Sequence, residues 1–179
     1  MPSCEIEQAV RFLYLNRVCF NGLYRVNLRG EFNVPIGSKV EVMFPNGFLR
    51  AISDRLRHAR LMESDFEAVI AQAGRNDFVF IDPPYTVTHN NNGFIKYNDV
   101  LFSWEDQIRL AKAAMSAKRR GSLVFVSNAD HAAVRELYDG FHFHHQLSRA
   151  SILSAASSAR KRTSESAFLS YRPSSSLSP

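Results

Sequence analysis

The chain is poor in several things that would each have pointed elsewhere. It has only two cysteines, Cys4 and Cys19, with no metal-ligand spacing and no partner framework, so free thiols in a reducing compartment are the simplest reading. No apolar run reaches the roughly 20 residues that a bilayer demands. The N-terminus lacks the charged, apolar and small-residue zones of a signal peptide, so a soluble, cytoplasmic protein is expected. Acidic residues are also short, 17 against 22 basic ones; the formal charge of +5 and pI near 9.5 favour a polyanionic partner. With 179 residues, 45% of them hydrophobic, there is enough chain to bury one ordinary core.

What is present is organised around Phe78-Val79-Phe80-Ile81-Asp82-Pro83-Pro84-Tyr85. Four consecutive apolar residues before a turn signal predict a strand buried on both faces, the central strand of an α/β sheet. Pro83 and Pro84 cannot donate to a ladder, and each pushes its predecessor into an extended conformation. Asp82 therefore stands at the carboxyl end of a strand, where open α/β sheets keep their ligand crevice. These residues suit methylation of an exocyclic amine. The Asp82 carboxylate and a Pro83 carbonyl held rigid by Pro84 can accept both N–H groups of an adenine amino nitrogen, helping to localise its lone pair. Tyr85 offers a face on which a flipped base can stack. The plainer alternative is a strand ending in a Pro-Pro turn with a helix-capping Asp.

Asp82-Pro83-Pro84-Tyr85 resembles the DPPY motif of the DNA adenine-N6 methyltransferases. The upstream stretches Leu13–Arg17, Phe20–Asn27 and Arg29–Gly37 are similar to the target-recognition region of the subgroup that methylates adenine in GATC. The likeness runs from about Phe12 to about Arg172. It implies an α/β, partial Rossmann-like fold that depends on S-adenosylmethionine, with an inserted target-recognition hairpin. It implies a target-recognition region over 1–60, the C-terminal part of a catalytic domain over 61–172 and a flexible tail over 173–179. The implied partner is double-stranded DNA and the implied reaction is methyl transfer to adenine N6 after base flipping. Asp82, Pro83, Pro84 and Tyr85 are the implied catalytic set, and Asp at the first position argues for adenine where relatives acting on a glutamine side chain carry Asn.

The remaining elements can be taken in order. Glu5 to Asn16 reads as a helix. Asn21-Gly22 is a turn signal, and Tyr24 to Val34 alternates around Asn27-Leu28-Arg29-Gly30, predicting a hairpin. A two-stranded ribbon fits the major groove, where arginine can bond guanine and asparagine adenine; a solvated hairpin is the alternative. From the resemblance, Arg17, Asn21, Arg25, Asn27, Arg29 and Pro35 are the DNA-binding candidates, and Val26 stands where some relatives carry an aromatic residue. Ile52 to Arg60 reads as a basic amphipathic helix, its charges an ordinary solvated face or phosphate contacts. Ala59 to Glu63 reads as a short strand, and Glu67 to Ala73 as a helix capped by Ser64 or Asp65. The resemblance adds a role for Asp65 and Phe66: an acid at this strand end bonds the cofactor's adenine while its neighbour packs on the ring. Asp82 completes the cofactor-binding candidates.

Thr86 to Val100 is a polar loop whose aromatics Phe94 and Tyr97, with Phe102 just beyond, either close over a flipped base or pin the loop to the core. Ser103 and Asp106 open a helix reaching Arg119-Arg120, and Leu123 to Ser127 is a second buried strand, implying a parallel crossover. Asn128 and Asp130 close it, with Asp130 a candidate cap for a helix over Ala132 to Tyr138. His142, His144 and His145 read as exposed strand positions rather than a metal site. The serine-rich stretch after Ser148 reads as a flexible tail or, by the resemblance, as the last hairpin with a closing strand over Ser166 to Tyr171. The family's Gly-rich strand-to-helix turn does not precede Phe12, which leaves three expectations open: a working enzyme, an inactive DNA-binding remnant, or one half of a split enzyme completed by a second chain.

Overall fold

The computed structural model describes residues 4–27, 29–39, 41–86, 102–150 and 162–173. They gather into two compact units, Met1–Met62 and Glu63–Pro179.

In the first unit, helix α1 (Glu5–Val18) carries Glu5 and Glu7 in its first turn and Arg17 in its last, charges that complement the helix dipole. A single 3₁₀ turn, Phe20–Gly22, follows, with Asn21 (φ 55°) and Gly22 (φ 65°) in the left-handed region. Cys19 is the only buried side chain among the described residues of this unit. Its backbone pairs with Ile36 in an isolated antiparallel bridge. Gly37 is required there, because a Cβ on it would lie 2.7 Å from the Cys19 carbonyl oxygen. Between Tyr24 and Val34 the chain reverses through one antiparallel bridge, Val26 to Phe32, flanked by backbone bonds from the Asn27 N–H to the Glu31 carbonyl at 2.9 Å and from the Asn33 N–H to the Arg25 carbonyl at 3.4 Å, a shorter ribbon than the alternation predicts. The Asn27 side chain closes the turn: its Oδ1 accepts from the backbone N–H of both Arg29 and Glu31 at 2.9 Å.

Helix α2 spans Phe48–Leu56, four residues earlier than the predicted Ile52–Arg60. Gly47, at φ 80°, sets its start, a boundary invisible to a reading keyed on the run of basic residues. No strand forms over Ala59–Glu63; those residues continue in turn and coil.

The second unit runs α3 (Phe66–Ile70), β1 (Phe78–Ile81), α4 (Trp104–Arg119), β2 (Leu123–Ala129), α5 (Ala132–Leu137), β3 (Phe143–Ala150) and β4 (Arg162–Leu169). The strands form one sheet in the order β1-β2-β4-β3. The predicted β1–β2 crossover is parallel, with Ile81 opposite Val126. β4 runs antiparallel to both neighbours. Helix α4 starts with a complete capping box: Ser103 Oγ accepts from the Asp106 N–H at 3.1 Å, while Asp106 Oδ2 accepts from the Ser103 N–H at 2.9 Å. It presents Leu110, Ala111, Ala114 and Ala117 to a core that includes Ile81, Val124, Val126, Val134, Tyr138 and Phe168. Burying each large apolar side chain stabilises the fold by roughly 1.5–3 kcal/mol.

The expectation that β1 is central and buried on both faces does not hold. It is an edge of this four-stranded sheet, with Phe78 58% and Phe80 61% exposed. Val79 and Ile81 alternate onto the core side, and Phe78 and Phe80 point away from it. The predicted closing strand is present as β4, beginning four residues before Ser166. Phe94 and Tyr97, and the serine-rich stretch over 151–161, lie outside the described residues. Phe102 belongs to the core, 8% exposed, with its ring centroid 5.9 Å from that of Phe66. Among the described residues no helix is long and apolar enough to cross a membrane, and no cluster of His, Cys, Asp or Glu can hold a metal ion.

Candidate active site

Asp82 follows β1 directly and is exposed. The parallel register that pairs Ile81 with Val126 brings the next residues, Asp82 and Ser127, side by side. Ser127 Oγ donates to Asp82 Oδ1 at 2.6 Å. By strand alternation both side chains share the sheet face of Phe80 and Phe125, whose rings stack 5.4 Å apart, while Ile81 and Val126 enter the core. Pro83 and Tyr85 are half-buried and Pro84 is exposed. The arrangement therefore offers a carboxylate on a stiff extended exit from the sheet, with one oxygen already supplied with a proton donor.

Asp65, read from sequence as a cofactor ligand or a cap, is the N-cap of α3: its Oδ1 accepts from the Glu67 N–H at 2.9 Å. Its Oδ2 accepts from Arg109 Nη2, also at 2.9 Å. The same guanidinium reaches Glu67 and Asp106 and lies 4.9 Å from the centre of the Phe66 ring. The Arg109 bond first, then the Glu67 N–H, hold the Asp65 carboxyl below the usual carboxylate range. The Ser103 backbone N–H and hydroxyl, with Arg109, do the same to Asp106. Arg109 thus ties α3 to α4 and was not singled out from sequence; beside Asp106 three residues earlier it reads as an ordinary pair within one helix, with no signal of the two acids that arrive from α3 and its cap. A carboxylate oxygen can accept two hydrogen bonds, and the Asp65 side chain is 49% exposed, so acceptor capacity for an adenine amino group remains. One face of Phe66 is covered by Arg109 and its ring packs on Phe102, so less of it is free to pack on an adenine ring than the resemblance implies.

The DNA-binding candidates all lie in the first unit. Arg25 and Arg29 are exposed, with Arg25 Nε donating to Asn33 Oδ1 at 3.2 Å. Asn27 is occupied by its turn, donating also to Glu31 Oε2 at 2.8 Å. Arg17 donates to the carbonyls of Glu41, Val42 and Met43 and stacks 4.7 Å over Phe44. Asn21 and Pro35 are exposed, and the Pro35 carbonyl accepts from the Phe20 N–H at 2.9 Å.

The predicted cap of α5 is corrected: His131 serves, its Nδ1 accepting from the Ala133 N–H at 3.2 Å. Asp130 instead turns to β3 and β4. Its side chain, 7% exposed, accepts from Arg135, Gln146 and Ser166. Burial pushes its carboxyl up, but bonds from Ser164, Gln146 and Ser166 and the nearby Arg135 outweigh that and hold it low. His144 sits on β3 as expected, with Nε2 2.8 Å from Ser166 Oγ and its ring stacked on Phe168.

Residues 3–152 match the family described as D12 class N6 adenine-specific DNA methyltransferase. The chain is 35% identical over 170 residues to Type II methyltransferase M1.LlaDCHI of Lactococcus lactis subsp. cremoris, an alignment covering 93% of this chain and 60% of that protein. It is 36% identical over 166 residues to the DNA adenine methylase of Escherichia coli strain K12, covering 93% of this chain and 59% of the other. It is also 39% identical over 150 residues to the DNA N-6-adenine-methyltransferase of Escherichia phage P1, covering 83% of this chain and 20% of the other. The chain thus spans no more than about three-fifths of the length of these relatives.

Proposed function

We propose that this chain, which belongs to the D12 class of N6 adenine-specific DNA methyltransferases, transfers a methyl group to N6 of an adenine in double-stranded DNA, within GATC. The observation that carries this reading is the exposed Asp82 carboxylate at the carboxyl end of β1, leading into Pro83-Pro84-Tyr85. An amino nitrogen conjugated with its ring is a weak nucleophile. Asp82 Oδ2 accepts one of its N–H bonds and the Pro83 carbonyl the other, which helps localise the lone pair on the nitrogen and stabilises the positive charge that develops there. Tyr85 stacks on the base once it has left the duplex, since a base inside the helix cannot reach this edge.

S-adenosylmethionine, when bound, supplies the methyl group as an electrophile on its sulfonium sulfur. Asp65, with acceptor capacity left on its carboxylate, is the residue that would hold the adenine end, with Phe66 beside it. Arg25 and Arg29 are exposed and reach for base edges and phosphates, while Arg17 and Asn27 hold the shape of the segment that carries them.

The test is incubation of the purified chain with labelled S-adenosylmethionine and an unmethylated GATC duplex, beside a duplex with that site scrambled. Label on the GATC duplex alone, lost in Asp82→Ala, is expected. Label on neither duplex would overturn the reading for the chain by itself. It would favour a second one, in which another chain covers the sheet face where Phe78 and Phe80 are exposed and completes the enzyme.

A further inference from the structure

A carboxylate one residue beyond a strand is free to rotate unless something holds it. Pro83 restricts the backbone of Asp82 to an extended conformation, yet it leaves χ1 and χ2 open. The neighbouring strand supplies the missing restraint. Ser127 Oγ has a single proton to give and two acceptors in range, Asp82 Oδ1 at 2.6 Å and the Ile81 carbonyl at 3.4 Å. The shorter contact is the hydrogen bond; the longer is at the edge of what counts as one. Ser127 is itself firmly placed, because β2 is an interior strand laddered on one side to β1 and on the other to β4, where Ser127 pairs with Ala167. A side chain on such a strand fixes a partner better than one on a loop.

We propose that Ser127 is a positioning residue for the methyl transfer: its hydroxyl locks Asp82 in one rotamer by occupying Oδ1, so that Oδ2 is the oxygen turned to the substrate amine. This rests on the proposed function above. It also divides labour within the carboxylate. One oxygen is anchored by the protein and the other is left for the base, so the acceptor needs no reorganisation when the amine arrives. Ser127 never touches the reacting atoms.

The test uses the full chain and two variants, Ser127→Ala and Ser127→Thr, with two independent readouts. Three-bond couplings from Asp82 Cγ to its backbone nitrogen and carbonyl carbon report the χ1 population by NMR. They should indicate one rotamer in the unaltered chain and in Ser127→Thr, and averaging in Ser127→Ala; unchanged couplings in Ser127→Ala would overturn the proposal. In the transfer assay, Ser127→Ala should lower kcat about tenfold or more while the KM for DNA stays within about twofold, with Ser127→Thr recovering most of the rate. Equal kcat in Ser127→Ala and the unaltered chain would likewise sink it. If the unaltered chain transfers no label, the proposed function falls, and the couplings still decide what Ser127 does to Asp82.

Discussion

The two units hold their shape by different means. In the first, one buried residue among those described, Cys19, stands among exposed Phe12, Tyr14, Tyr24 and Phe48, and the fold is drawn by surface hydrogen bonds, local from Asn27 to its own turn and longer in reach from Arg17 to the carbonyls of Glu41, Val42 and Met43. In the second, a contiguous core joins α4 to β1, β2 and β4. Local hydrogen bonds specify a turn without depending on distant residues, so a segment built this way can vary its exposed arginines at little cost to stability. A carboxylate that must be held to fractions of an ångström belongs on the other kind of scaffold, and Asp82 is there.

Substitutions that strike the core and the local bonds in turn can break this contrast. The largest loss is expected from Phe168→Ala, since that ring is 2% exposed and stacks on Tyr138 and His144; urea denaturation should show a cost of about 3–5 kcal/mol. The matching change in the first unit, Phe12→Ala, removes a ring 49% exposed and should cost under about 1 kcal/mol by the same measurement. Equal losses would end the distinction.

Asp130→Asn should destabilise less than Phe168→Ala, and only above the acid range. The folded carboxyl lies below its ordinary value, so its contribution is complete above the unfolded pKa of about 3.9 and is lost as pH falls through the lower, folded value. Denaturation at pH 7 should separate variant from parent, and at the acid limit the two curves should converge. Ser103→Ala, which opens the capping box of α4, should cost about 1 kcal/mol. Smallest in global terms is Asn27→Ala. It should leave the unfolding of the second unit unchanged while speeding amide exchange at Arg29 and Glu31, whose N–H groups it frees.

Much of the second unit was legible because its signals are local. The capping box at Ser103 and Asp106, the apolar run of β2 and the break at Pro83-Pro84 each act within a few residues. Most of what was missed depends on partners far along the chain. Nothing within Phe78–Ile81 says that Val79 and Ile81 enter the core while Phe78 and Phe80 stand more than half exposed on the other face. A run of arginines over 55–60 outweighed the left-handed Gly47 that starts α2, and Asp130 resembles a cap until Gln146 and Ser166 arrive from β3 and β4. The partnership of Ser127 with Asp82 was within reach: once β1 and β2 are taken as parallel, a register placing the two apolar runs side by side sets the residue after one strand against the serine of the other.

The strand order has a consequence for how the protein is made. Among the described strands β4 comes latest in the chain, after β2 and β3, yet it lies between them and is the hydrogen-bonding partner of both. Until it emerges, β3 has no neighbour in the sheet and one edge of β2 stays open, so the nascent chain can complete α4 and its capping box but not the surface beneath Phe168. Translation therefore delivers β4 after both of its partners, and an interruption before Arg162 releases a chain in which one edge of β2 and both edges of β3 are unpaired, prone to self-association.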